Sequence, residues 1–185
     1  MLRFYWLTLA VLFPFIVHAD VRCEEPSLLI SIGVPADTPA DNDIPSERII
    51  QRRKDAFFYV VVTNLSDKPV RIWKQWCSWG GDSVRFSFRD EMGNPGLAVS
   101  ARSTWTVNFP DFYELAPRES GLTLVSFADP QFWKGFPRPK SNERKKVTMT
   151  VTLRIDADDE TRKLGIWTGE VSSRPMEYVF VGAEE

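Results

Sequence analysis

The chain of 185 residues sets 23 basic against 25 acidic side chains, and its formal net charge of −2 supplies no electrostatic reason to hold nucleic acid. A hydrophobic share of 43% excludes a disordered chain, while 13 prolines and 10 glycines indicate short, frequently interrupted elements.

The first residues, MLRFYWLTLAVLFPFIVHA, combine one basic side chain, Arg3, with an apolar run from Phe4 to Val17 and a small residue, Ala19, where a signal peptidase cuts. This is the pattern of a secretory signal peptide over residues 1–19. The run is shorter than the roughly 20 apolar residues that span a bilayer, so no transmembrane segment is expected after cleavage. Arg22 in front of Cys23 argues against a lipid anchor. The expected product is a single domain over residues 20–185, with its core over about 27–181, exported to the periplasm or exterior of a bacterium. Cleavage has a chemical consequence, because the sole histidine, His18, leaves with the leader. Histidine-based triads, histidine-ligated zinc and a histidine general base are then excluded, and the sequence points to no cofactor, no metal site and no catalytic residue.

SLLISIGV (Ser27 to Val34) reads as a first strand, and the Pro-punctuated segment after it has room for one helical turn near Glu47 to Gln51. FFYVVVTN (Phe57 to Asn64) is a continuous apolar run that predicts a central strand buried on both faces. LSDKP supplies turn chemistry. SVRFSFR alternates Val84, Phe86 and Phe88 against polar neighbours, DEMGNPG turns the chain, and ESGLTLVSF is a further strand. KVTMTVTLRI is the clearest element: Val147, Met149, Val151, Leu153 and Ile155 alternate without a break against threonines and Arg154. DADDETRKLG predicts one helical turn stopped by Gly165, and Pro175 makes the last segment an edge or broken strand. About seven to eight strands without a long helical period predict an all-β, immunoglobulin-like antiparallel β-sandwich.

The segments VVVTNLSDKPVRIW, WCSWGGDSVRFSF, YELAPRESGLTLVSF and LGIWTGEVSSRPMEYVF resemble, in order over about residues 57–181, uncharacterised secreted bacterial proteins with immunoglobulin-like sandwiches. The strand, TNLSDKPV turn, strand and FRDEMG turn are more weakly similar to the intracellular proteinase inhibitor family. Neither resemblance implies a catalytic motif or a ligand.

The densest chemistry lies in RIWKQWCSWGGD (Arg71 to Asp82). An extended chain through it turns Trp76 into the core, with Val70 and Ile72, and turns Trp73 and Trp79 outward. Exposed indoles stack on sugar rings, so Trp73, Trp79, Trp105 and Trp133 are the binding candidates. The competing reading packs them in the core or under loops, because Gly80 and Gly81 let the backbone bend and break the phase.

Cys23 and Cys77 form an even pair that suits a disulfide in an exported chain, with two unpaired thiols as the alternative. The acids of DADDE favour a helix start over a calcium loop, since the glycine and terminal glutamate of an EF-hand are missing. KGFPRPKSNERKK (Lys134 to Lys146) is a basic connection that either contacts an anionic surface or is balanced by acids elsewhere. Beside it, Phe132, Trp133 and Phe136 either plug one end of the sandwich or form a patch. A glycosidase-like pair of carboxylates has no nameable members. The expected function is therefore a non-catalytic exported domain for protein binding or cell-envelope assembly, with a protein or a cell-envelope polymer as its partner. The alternatives are a carbohydrate-binding module using surface tryptophans and a proteinase-inhibitor-like domain.

Overall fold

A computed structural model describes residues 27–35, 45–52, 57–101, 108–126, 132–141 and 143–182. The leader, Cys23 and Trp105 lie outside the described residues. In chain order the strands are β1 (Leu28–Gly33), β2 (Ile49–Arg52), β3 (Phe57–Asn64), β4 (Val70–Trp73), β5 (Val84–Asp90), β6 (Pro95–Ser100), β7 (Phe112–Leu115), β8 (Ser120–Ser126), β9 (Trp133–Lys134) and β10 (Arg144–Ile155). The helix α1 (Asp159–Leu164) follows, then β11 (Gly169–Ser172) and β12 (Met176–Gly182). The expected all-β class holds. The strands outnumber the expected seven or eight because several are only two to four residues long.

One sheet has the order β1-β3-β8, and the larger one runs β2-β12-β10-β5-β6-β9 with β11 beside β10. The strands β4 and β7 form a separate antiparallel pair. The central strand β10 obeys its alternation: Val147, Met149, Val151, Leu153 and Ile155 are all buried. Each such side chain contributes roughly 1.5–3 kcal/mol on leaving water. Facing them from the other sheet are Leu28, Ile30, Phe58, Val60 and Val62, all members of one continuous apolar cluster. Phe58, Phe86, Trp133, Phe136 and Phe180 interlock there, with edge-on or tilted rings whose centroids lie 5.0 to 6.0 Å apart. Trp133 and Phe136 therefore plug the sandwich, as one of the two sequence readings held, whereas Phe132 stays outside.

Turn chemistry behaves as the sequence predicts. Asn64 is fully buried at the end of β3, and its amide Nδ2 donates to the carbonyls of Lys68, Leu115 and Ala116 at 2.7, 2.9 and 3.2 Å. Its Oδ1 accepts from the N–H and hydroxyl of Ser66. One side chain thus ties the LSDKP turn to the turn that feeds β8. After β10, Asp158 caps α1 by accepting from the Thr161 N–H, and the Thr161 hydroxyl accepts from the Asp158 N–H in return. The Thr161 N–H holds the Asp158 carboxyl below the usual range. The helix stops at Gly165, whose φ of 65° belongs to the left-handed region that glycine adopts without strain. The helical turn expected near Glu47 is a single 3-10 turn, Ser46–Arg48, that gives way at once to β2.

Two expectations need correction. β3 is central in its sheet but not buried on both faces: Phe58, Val60, Val62 and Asn64 are buried, while Tyr59, Val61 and Thr63 are half-buried and Phe57 is exposed. The reason is that the second sheet covers only one side of it. The tryptophan phase is also reversed: Trp73 is only 3% exposed and Trp76 is 48% exposed. β4 ends at Trp73, and from Lys74 the chain coils through consecutive turns, with Cys77 N–H donating to Lys74 O, Gly80 and Gly81 N–H to Cys77 O, and Ser83 N–H to Gly80 O. An alternation of period two has no meaning across such turns. A Cβ on Gly80 would stand 2.2 Å from the Lys74 carbonyl oxygen, so glycine permits this coil by its size.

The final segment is broken, as Pro175 implies. β11 and β12 both pair with β10 on either side of the break, from Thr152↔Ser172 to Ile155↔Gly169 and from Arg144↔Val181 to Met149↔Met176. β12 is not an edge, because β2 lies parallel to it with Ile49 opposite Val179.

Candidate functional site

The turns after β4 present Trp76 on a fixed support. The Lys74 N–H donates to Asp111 O at 3.0 Å, and the buried Cys77 thiol donates to Lys74 O at 3.1 Å. The Lys74 ammonium is paired with Asp111 at 3.0 Å and lies 5.8 Å from the Trp76 ring centre and 5.2 Å from that of Tyr113. A cation shared between two ring faces and a carboxylate fixes both rings relative to one another. Phe109 meets Trp76 edge-on at 5.7 Å. A short polar staple, Asn108 Oδ1 accepting from the Ser78 N–H at 3.1 Å, holds the next residue of the coil.

Trp76 and Tyr113 line an open groove of about 570 Å³, within the usual size of ligand sites of roughly 300–1,000 Å³. Leu122, Thr123, Leu124 and Ser126 of β8 form another part of it. The rest comes from the far sheet, through Ser100 and Ala101 at the end of β6 and Phe132 and Trp133 at β9. Leu122, Leu124 and Phe132 are 54%, 55% and 56% exposed. The remaining lining residue, Gln75, holds a buried amide nitrogen, Nε2, with no hydrogen-bond partner. Among the described residues, none that lines the groove carries a charge at neutral pH. Such a surface favours an uncharged, partly apolar occupant.

The sequence-predicted site residues are dispersed. Trp73 is in the core, 6.2 Å from the half-buried Trp79 and 6.4 Å from Phe112 between ring centres. Trp133 is buried but contributes to the groove wall, and Trp105 lies outside the described residues. Stacking needs a free ring face, and among the described tryptophans the most exposed is Trp76, the residue assigned to the core from sequence. Cys77 is a free, buried thiol, while Cys23 lies outside the described residues. Its burial among carbonyl acceptors makes Cys77 a structural side chain.

The other charged features have local roles. Asp156 pairs with Arg154 at 2.9 Å, Asp158 caps α1 and Glu160 meets Lys163 at 3.9 Å. Among the described residues no three His, Cys, Asp or Glu side chains gather to hold a metal ion. In the basic segment, Lys145 meets Glu143 at 3.7 Å and Lys146 meets Glu177 at 2.8 Å. No helix among the described residues is long and apolar enough to cross a membrane. Comparison of the chain with protein-family models, with curated proteins and with solved structures finds no match.

Proposed function

We propose that the chain is a non-catalytic, exported β-sandwich domain that binds a protein partner at the cell envelope through the groove beside β8. Export follows from the leader-like residues 1–19. The observation that carries the binding role is the groove's composition: exposed Trp76, Phe132, Leu122 and Leu124 meet in one uncharged concavity. Contiguous apolar surface of this kind marks interaction sites on soluble proteins, and aromatic anchors dominate the energy of such contacts. A photo-reactive benzoylphenylalanine in place of Leu124, in the full chain mixed with envelope fractions, is expected to cross-link one protein, and Trp76→Ala to remove that product. Cross-linking that is unaffected by Trp76→Ala, or none at all, contradicts the assignment.

A second reading is favoured by one observation. Trp76, half-exposed and braced by Phe109 and Lys74, has the geometry of a stacking platform for a sugar ring. Glycan capture that is lost in Trp76→Ala, with no protein cross-link at position 124, replaces the protein partner with a carbohydrate.

A further inference from the structure

We infer that the groove's partner binds as an extended peptide that adds a strand to the free edge of β8. The inference rests on the protein-binding reading above and states the form the partner takes.

Backbone direction along β8 carries it. In β3, Leu65 N–H donates to Ser27 O on the β1 side, whereas Asn64 N–H donates to Glu119 O and Asn64 O accepts from Arg118 N–H on the β8 side. Even-numbered residues of β3 therefore face β8, and their antiparallel partners are Gly121, Thr123 and Val125. Ser120, Leu122, Leu124 and Ser126 must turn their N–H and C=O groups the other way. β8 ends its sheet, and no described strand pairs with it on that side. Four residues thus offer a row of donors and acceptors that no described strand pairs with, which is the template for strand addition.

The side chains agree with the backbone. Groove-lining residues come from both phases of β8, Leu122 and Leu124 from one and Thr123 from the other, as only an edge allows. Leu122 and Leu124 share the outer face of their sheet with Phe57 and Leu29, which are also exposed. An added strand would set alternate side chains beside these leucines and the others against Trp133 and Ala101, across the gap between the sheets. Both neighbourhoods are apolar, so the peptide has uncharged, apolar residues through its middle. A peptide carbonyl entering there would also bring an acceptor to the side of the groove where Gln75 Nε2 lacks one.

The test selects a displayed library of random nine-residue peptides against the full chain. Enriched sequences are expected to be uncharged in the middle, and bound peptide is expected to slow hydrogen exchange at the amides of Leu122 and Leu124. Leu122→Pro removes one outward donor and leaves the bonds to β3 in place. It should weaken binding about tenfold with an unchanged circular dichroism spectrum. Methylating alternate backbone nitrogens of the peptide should do the same without altering the protein. Binding that is lost in Trp76→Ala yet keeps full strength in Leu122→Pro and with methylated peptide leaves the groove as a site and ends strand addition. A library that yields no binder, or a chain that sediments as a dimer with the β8 amides protected by a second copy, also overturns it.

Discussion

β10 and β8 are both strands of alternating character, and they use it in opposite ways. In β10 the apolar phase, Val147 to Ile155, faces the core, and both edges are paired, with β5 on one side and β11 and β12 on the other. In β8 the larger apolar side chains, Leu122 and Leu124, face outward, while Gly121 and Thr123 occupy the inward phase with Val125. Gly121 lets the Leu115 side chain pack close to the strand, and the large residues outward leave apolar surface in water. Buried apolar side chains are thus concentrated along β10, and exposed ones along β8.

The sharpest way to break this contrast is to truncate one residue on each strand. Met149→Ala removes a fully buried side chain and should cost about 2–5 kcal/mol, read from urea unfolding. Leu124→Ala, on the exposed phase, should stay within about 0.5 kcal/mol; an equal loss in the two would mean that β8 is as much a part of the core as β10. Next in size is Asn64→Ala, which leaves the buried carbonyl of Leu115 and the partly buried one of Ala116 short of a donor at the entry to β8. It should cost about 3 kcal/mol in the same assay. Its hydrogen-exchange signature should be a loss of protection concentrated in β8, with β10 retained until global unfolding.

Gly165→Ala tests the exit from α1. Nothing lies within 4 Å of the added Cβ, so only the backbone conformation opposes it, at about 1 kcal/mol.

The smallest effect is on acid sensitivity. The Thr161 N–H lowers the Asp158 pKa, and the Asn94 side chain and N–H do the same for Asp90 in the β5–β6 turn. A carboxyl whose folded pKa is depressed adds stability above its unfolded pKa, near 3.9, and loses it as pH falls through the folded value. Urea midpoints should therefore decline below about pH 4, and Asp158→Asn should flatten part of that decline. An unchanged profile in the variant would show that the cap does not couple to global unfolding.

Much of the framework could be read from the residues, because local chemistry fixes it. β10 has five apolar side chains in strict alternation, the Asn64 turn has its hydrogen-bonding sequence, and α1 has its capping acid and terminal glycine. The groove could not be read, for two physical reasons. The phase through Trp73 and Trp76 depends on where β4 stops, and the coil from Lys74 to Ser83 is held by Asp111 and Cys77, contacts that no local pattern reveals. The outward leucines of β8 contradict the rule that apolar phases face the core, and only the position of the opposite sheet determines which phase is covered. The parallel β2–β12 pair was equally hidden, since nothing in IIQR names a partner so far along the chain.

That last pair governs when folding can finish. Hairpins such as β5–β6 close within a few residues, but β2 has no strand to lie against until Val179 to Gly182 have been synthesised. Closure of the large sheet at this border is therefore a late, non-local event that slows folding relative to hairpin formation.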